Sequence, residues 1–94
     1  MDISELRVII DDLDKQLVDL LNERARAVQS IGRLKRHTSM PIYEPDRERA
    51  VYQNVSAVNK GPLREQDLQM IYQAMMAVMR EIQSHEILDA TEGN

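Results

Sequence analysis

Ninety-four residues, 43% apolar and 30% charged, fit one small globular domain whose own core is modest. The absence of Cys excludes disulfides and thiolate metal sites and fits a reducing compartment, which makes the cytoplasm the expected location. A formal net charge of −4 speaks against a general nucleic-acid binder, because phosphate contacts need a concentrated positive field.

There is no Phe or Trp and there are only three Tyr, so the apolar volume comes from Leu, Ile, Val, Met and Ala. Leu, Met and Ala favour helices, whereas sheets draw on aromatic and β-branched side chains; the expected fold class is all-α. The N-terminus, "MDISELRVIIDDLDKQ", carries acids where a secretory signal carries basic residues. No apolar run approaches the roughly 20 residues of a membrane span, and a soluble, unprocessed chain is expected.

From Asp2 to about Lys35 there is no Pro, and Leu6, Ile10, Leu13, Leu17, Leu20, Ala27, Ile31 and Leu34 keep a 3/4 spacing, which predicts one long first helix. Asp2 and Glu5 resemble a capping box, and Arg33, Lys35 and Arg36 suit the negative end of the helix dipole. At a rise of about 1.5 Å per residue this helix is roughly 50 Å long, more than the remaining chain can cover, so a partner is implied. "HTSMP", residues 37–41, is a polar break. Pro45 then stands at the first position of a second helix running to about Asn59, with Glu44 as a makeshift cap. "KGP", residues 60–62, stops it. A third helix, with Arg64 a poor residue at its cap position, carries Leu68, Ile71, Tyr72, Met75, Met76, Met79 and Ile82 at helical spacing and is expected to reach about Leu88. The helical domain is thus expected over residues 1–88, with a flexible polar tail over residues 89–94.

Several polar residues stand where this pattern calls for apolar ones. Arg24 occupies a seam position of the first helix, where a guanidinium is costly to bury unless it meets an anion from protein or ligand. Lys35 follows eleven residues later, within roughly 20° of Arg24 around the helix. Arg47 lies in the first turn of the second helix, the wrong end of the dipole for a cation, beside Glu48. Gln83 lies one turn beyond Met79 on the apolar stripe of the third helix, and its amide needs a partner. Each has a plain alternative: seam cations snorkel or set register, the charged turn is a solvated helix start, and Gln83 bonds helix to helix. His37 and His85 stand apart from any ligand-spaced acids, so no metal site is expected, and with no phosphate loop or activated nucleophile any chemistry must work mainly by placing fixed charges.

Three segments taken together carry a resemblance: "LRVIIDDLDKQLVDLLNERARAVQSIGRLK" at residues 6–35, "PIYEPDRERAV" at 41–51 and "IYQAMMAVMREIQ" at 71–83. Over about residues 3–85 the chain resembles the all-helical AroQ-class chorismate mutases. The resemblance implies three helices per chain, intertwined with a second copy as a dimeric bundle, and rearrangement of chorismate to prephenate without a cofactor. It further implies that Arg24 and Arg47 of one chain, with Arg7 of the other, clamp the substrate carboxylates. Lys35 and Gln83 donate to the ether oxygen, Glu48 accepts from the ring hydroxyl, and Glu44 assists. At Met79, where some members carry Ser, a hydroxyl contact to a carboxylate is missing. Two other readings stay open: an isochorismate-pyruvate lyase on the same fold, and a non-catalytic helical dimerisation or regulatory module.

Overall fold

A computed structural model describes residues 1–92, with side chains described to residue 88. Three helices follow in order: α1 over Ile3–Lys35, α2 over Pro45–Ala57 and α3 over Glu65–Glu92. The Asp2 carboxylate accepts from the Glu5 N–H at 2.8 Å, so the expected cap of α1 forms and satisfies one of the free amides of its first turn. At the other end Arg33 and Lys35 fall in the last turn, where a cation opposes the helix dipole favourably.

Glu44 stands at the cap position of α2, but its side chain makes no capping bond. The carboxylate turns instead to the Lys35 ammonium at 3.2 Å, a charged partner that outweighs a backbone amide. The expected makeshift cap is therefore a cap in position only. α2 closes at Ala57, short of Asn59, as the N–H groups of Val58 and Asn59 tighten onto the carbonyls of Val55 and Ser56. Gly61, with φ of 77°, makes the turn that follows, a left-handed conformation open to Gly without a side-chain clash.

Arg64 caps α3 with its backbone carbonyl, which accepts from Asp67 and Leu68, while its guanidinium pairs with Asp67. α3 continues past the expected end at Leu88 into the segment read as a polar tail; no Gly or Pro interrupts the chain before Gly93. Gly93 and Asn94 lie outside the described residues.

α3 packs on both other helices, whereas among the described residues the backbones of α1 and α2 do not come close to each other and the two face across a pocket. The buried core is small: Val28 from α1 and Leu68, Met76 and Met79 from α3, with the Lys35 side chain among them. Gly32 sits at the closest approach of α1 to α3. A Cβ there would stand 3.0 Å from the Glu86 Cβ and 3.3 Å from the Gln83 Cα, so a larger residue would push α3 away. The same junction is clasped by Glu86, which pairs with both Arg33 and Arg36.

The first half of α1 projects beyond this core. Leu6, Ile10, Leu13, Leu17 and Leu20, the apolar stripe of the sequence, are each at least 46% exposed, and the molecule extends 57 Å along its long axis. A continuous aliphatic stripe of this length is more than isolated surface apolar residues account for. Among the described residues, no helix is long and apolar enough to cross a membrane.

Candidate active site

A pocket of about 500 Å³ opens where the second half of α1 meets α2 and α3. Its size suits a small organic ligand. α1 supplies Arg24 and Lys35 from the same stripe, as the eleven-residue spacing requires. The first turn of α2 supplies Arg47 and Glu48, with Glu44 immediately before it, and α3 supplies Met79, Arg80 and Gln83. Val28, Ile31, Val51 and Met76 make the apolar floor, and Met40 and Ile42 come from the connection between α1 and α2.

Lys35 is the centre of the arrangement. It is only 5% exposed, and a buried ammonium is tolerated only when its hydrogens are satisfied. Its Nζ donates to the Pro41 carbonyl at 2.8 Å, to Gln83 Oε1 at 2.9 Å and to Glu44 Oε2 at 3.2 Å. These bonds have three consequences. The connection is tied to the end of α1 through Pro41, whose carbonyl can accept although its nitrogen cannot donate. The charge of Lys35 is balanced by Glu44. The Gln83 amide is oriented, because an ammonium accepts nothing; the oxygen must face Lys35, which leaves the NH₂ as a donor with no partner among the described residues.

Arg24 is half-buried and Arg47 exposed, and neither has a carboxylate partner or a hydrogen bond from its side chain among the described residues. Two guanidiniums on one pocket without protein anions are prepared for ligand anions, bidentate by geometry. Glu48 accepts from Arg80, whose guanidinium also lies 5.0 Å from the centroid of the Tyr43 ring. Asp46 and Arg49, the other charges of that turn, pair with each other at the surface. The pocket thus carries four cations against two carboxylates, an excess that favours an anionic ligand.

Seven of the eight residues singled out in the sequence meet here: Arg24, Lys35, Glu44, Arg47, Glu48, Met79 and Gln83. Arg7 does not; it lies on the exposed first half of α1, about 25 Å along the helix from Arg24. Sequence reasoning missed Arg80. Its signal was present: it lies three residues before Gln83, hence on a neighbouring face of the same helix one turn earlier, among methionines.

A model of the family "chorismate mutase type II" matches residues 6–84, a span that contains all eight of these residues. The chain belongs to the type II chorismate mutase family. It is 36% identical over 81 residues to a bifunctional chorismate mutase/prephenate dehydratase of Stutzerimonas stutzeri, an alignment covering 80% of this chain and 22% of that one. The chain therefore spans about a fifth of the length of such curated relatives. Among solved structures it superimposes on chorismate mutase of Helicobacter pylori in complex with prephenate, with a TM-score of 0.83 at 29% identity over 92% of this chain and 93% of that one. Chorismate mutase of Thermus thermophilus gives a TM-score of 0.84 at 29% identity over 87% and 93%. For this family the all-helical, three-helix architecture is thus the shared frame, and the pocket lies within the matched region.

Proposed function

We propose that the chain is a chorismate mutase, rearranging chorismate to prephenate within the pocket of Lys35. In this reaction the ether C–O bond between ring and enolpyruvyl group breaks as a C–C bond forms between the two. Six electrons shift in a ring, and nothing is gained or lost. No nucleophile or proton transfer is needed; the demands on the protein are to hold a flexible dianion folded over itself and to stabilise charge on the departing ether oxygen.

The observation that carries the reading is the pairing of Lys35 with Gln83 at 2.9 Å on the wall of a pocket whose Arg24 and Arg47 are unspent. Arg24 and Arg47 bind the substrate carboxylates, which fixes the side chain over the ring. The free NH₂ of Gln83 and the Lys35 ammonium converge on the ether oxygen. Lys35 gives up its longest bond, to Glu44, to make the new one, and Glu44 remains beside it as counter-charge. Donors set in place before charge develops are worth on the order of 3 kcal/mol each. Glu48 accepts from the ring hydroxyl, and Met79 contributes apolar wall where a hydroxyl would add a further bond. The H. pylori relative, solved with prephenate, supports the same product here.

The working unit in this reading is a homodimer in the cytoplasm. The exposed stripe of α1 supports a second copy packed antiparallel, which buries the stripe and carries Arg7 of the partner subunit toward Arg24 as a third carboxylate ligand. The chain works without a metal or cofactor. The reading is tested by the disappearance of chorismate, followed in the ultraviolet, with prephenate as product; pyruvate release from isochorismate would mark a lyase instead.

A further inference from the structure

We propose that Arg80 is a positioning residue for Glu48: it pins one carboxylate oxygen so that the other is presented to the substrate hydroxyl. This deepens the chorismate mutase reading and rests on it.

Glu48 belongs to α2, while the donors it must face, Lys35 and Gln83, belong to α1 and α3. α2 packs on α3, so the placement of Glu48 relative to Gln83 runs through that packing, and the Lys35–Glu44 pair links the start of α2 to α1. Glu65 joins α2 to α3 at the far end of α2, and at the pocket end of α2 the polar link to α3 is Arg80. Its Nη1 donates to Glu48 Oε2, and the same guanidinium lies over the ring of Tyr43 in the connection. One side chain thereby fixes three segments: α3, the first turn of α2, and the connection that also carries Pro41 and Glu44 toward Lys35.

The pair is partly sheltered, with the Arg80 and Glu48 side chains 32% and 24% exposed, so water screens it less than an ordinary surface pair. Glu48 Oε1 has no protein donor among the described residues and is left as an acceptor on the pocket. The arginines therefore divide the work. Arg24 and Arg47 keep their donors for ligand anions, whereas Arg80 is committed to a protein carboxylate. That commitment serves binding too, since an unheld Glu48 would compete with the substrate carboxylates for Arg24 and Arg47.

A residue that merely glues α2 to α3 would matter equally for any substrate; one that acts through Glu48 matters when Glu48 has a hydroxyl to bind. The test compares kcat and KM for wild type, Arg80→Met, Arg80→Gln, Arg80→Lys, Glu48→Gln and the Arg80→Met/Glu48→Gln pair. Each is measured with chorismate and with the analogue lacking the ring hydroxyl, and folding is checked by circular dichroism. Arg80→Met should lower kcat/KM on chorismate about tenfold. The loss should shrink to about twofold or less on the analogue and in the Glu48→Gln background, and Arg80→Lys should recover part of it. Arg80→Gln keeps the test standing if Arg80→Met does not fold. Equal losses on both substrates and in both backgrounds, with an active wild type, overturn the proposal alone. A wild type that leaves chorismate at its spontaneous rate overturns the functional reading and the proposal with it.

Discussion

Lys35 Nζ stands 2.9 Å from Gln83 Oε1, joining the last turn of α1 to α3 across 48 positions of sequence. This one bond orients the Gln83 amide and anchors the Lys35 charge, so these two donors are set by each other. Lys35→Met keeps the apolar stem and removes the charge. It is expected to lower kcat by about 10²–10³ with a smaller change in KM, because in the proposed reaction the donor acts chiefly on charge that grows in the transition state. Steady-state kinetics on chorismate checks this. A change confined to KM would assign Lys35 to substrate binding instead.

Gly32 sets how near α1 and α3 stand. Gly32→Ala adds a good helix former to α1, which in an exposed helix would gain about 1 kcal/mol. Here the added Cβ meets Glu86 and the Gln83 backbone at 3.0–3.3 Å, so α3 must move at the residue that faces Lys35. The shift needed is a few tenths of an ångström, and activity is expected to fall about two- to fivefold even where the helix itself is no less stable. Paired melting and kinetic measurements separate the two effects.

The three helices are legible in the sequence because their signals are local: an unbroken 3/4 apolar period, Asp2 before α1, Pro45 opening α2, and Gly61 after it. Arg24, Arg47 and Gln83 are legible as polar residues out of place. The partners are not. That Glu44 abandons its capping role for Lys35, or that Arg80 reaches Glu48 32 positions away, depends on how helices distant in sequence pack, which no spacing rule reports. Arg80 in particular hid on a helix whose methionines read as plain core.

Arg7 offers a test of the dimer. It lies outside the pocket of its own chain, while the stripe running past it is exposed. Arg7→Ala and Arg24→Ala chains are each expected to be inactive alone and to regain activity when mixed, because in the proposed dimer half of the heterodimer's sites carry both arginines. Verified subunit exchange without recovered turnover would contradict the placement of Arg7 in the partner's site.

Away from the pocket, Glu65 ties the end of α2 to the start of α3, accepting from Ser56 Oγ at 2.7 Å, Asn59 Nδ2 at 3.0 Å and Tyr52 OH at 3.4 Å. The Ser56 bond first, then the Asn59 bond, hold the Glu65 carboxyl below its ordinary range, while desolvation and then the Glu65 charge push Tyr52 up. A carboxyl lowered by folding contributes stability above its unfolded pKa and loses it as the pH falls through the folded value; a raised tyrosine contributes below its unfolded pKa and loses it as the pH rises through the folded value. The Tm advantage of wild type over Glu65→Gln is therefore expected to be full at neutral pH and to shrink as the pH is taken below about 4. Thermal melts across that range check it; an advantage that does not change with pH would mean the carboxylate charge is irrelevant there.

The central claim is that a pocket of fixed charges around Lys35 and Gln83 rearranges chorismate without help from any other chemistry. It is tested most directly by following the ultraviolet absorbance of chorismate with the purified chain and with Arg24→Ala, both shown to be folded and in the same assembly state. The wild type should consume chorismate at least 10⁴-fold or so faster than the spontaneous reaction and yield prephenate alone, with Arg24→Ala losing most of that rate. Wild-type consumption no faster than the spontaneous rate, or an Arg24→Ala chain that turns over equally well, would contradict it.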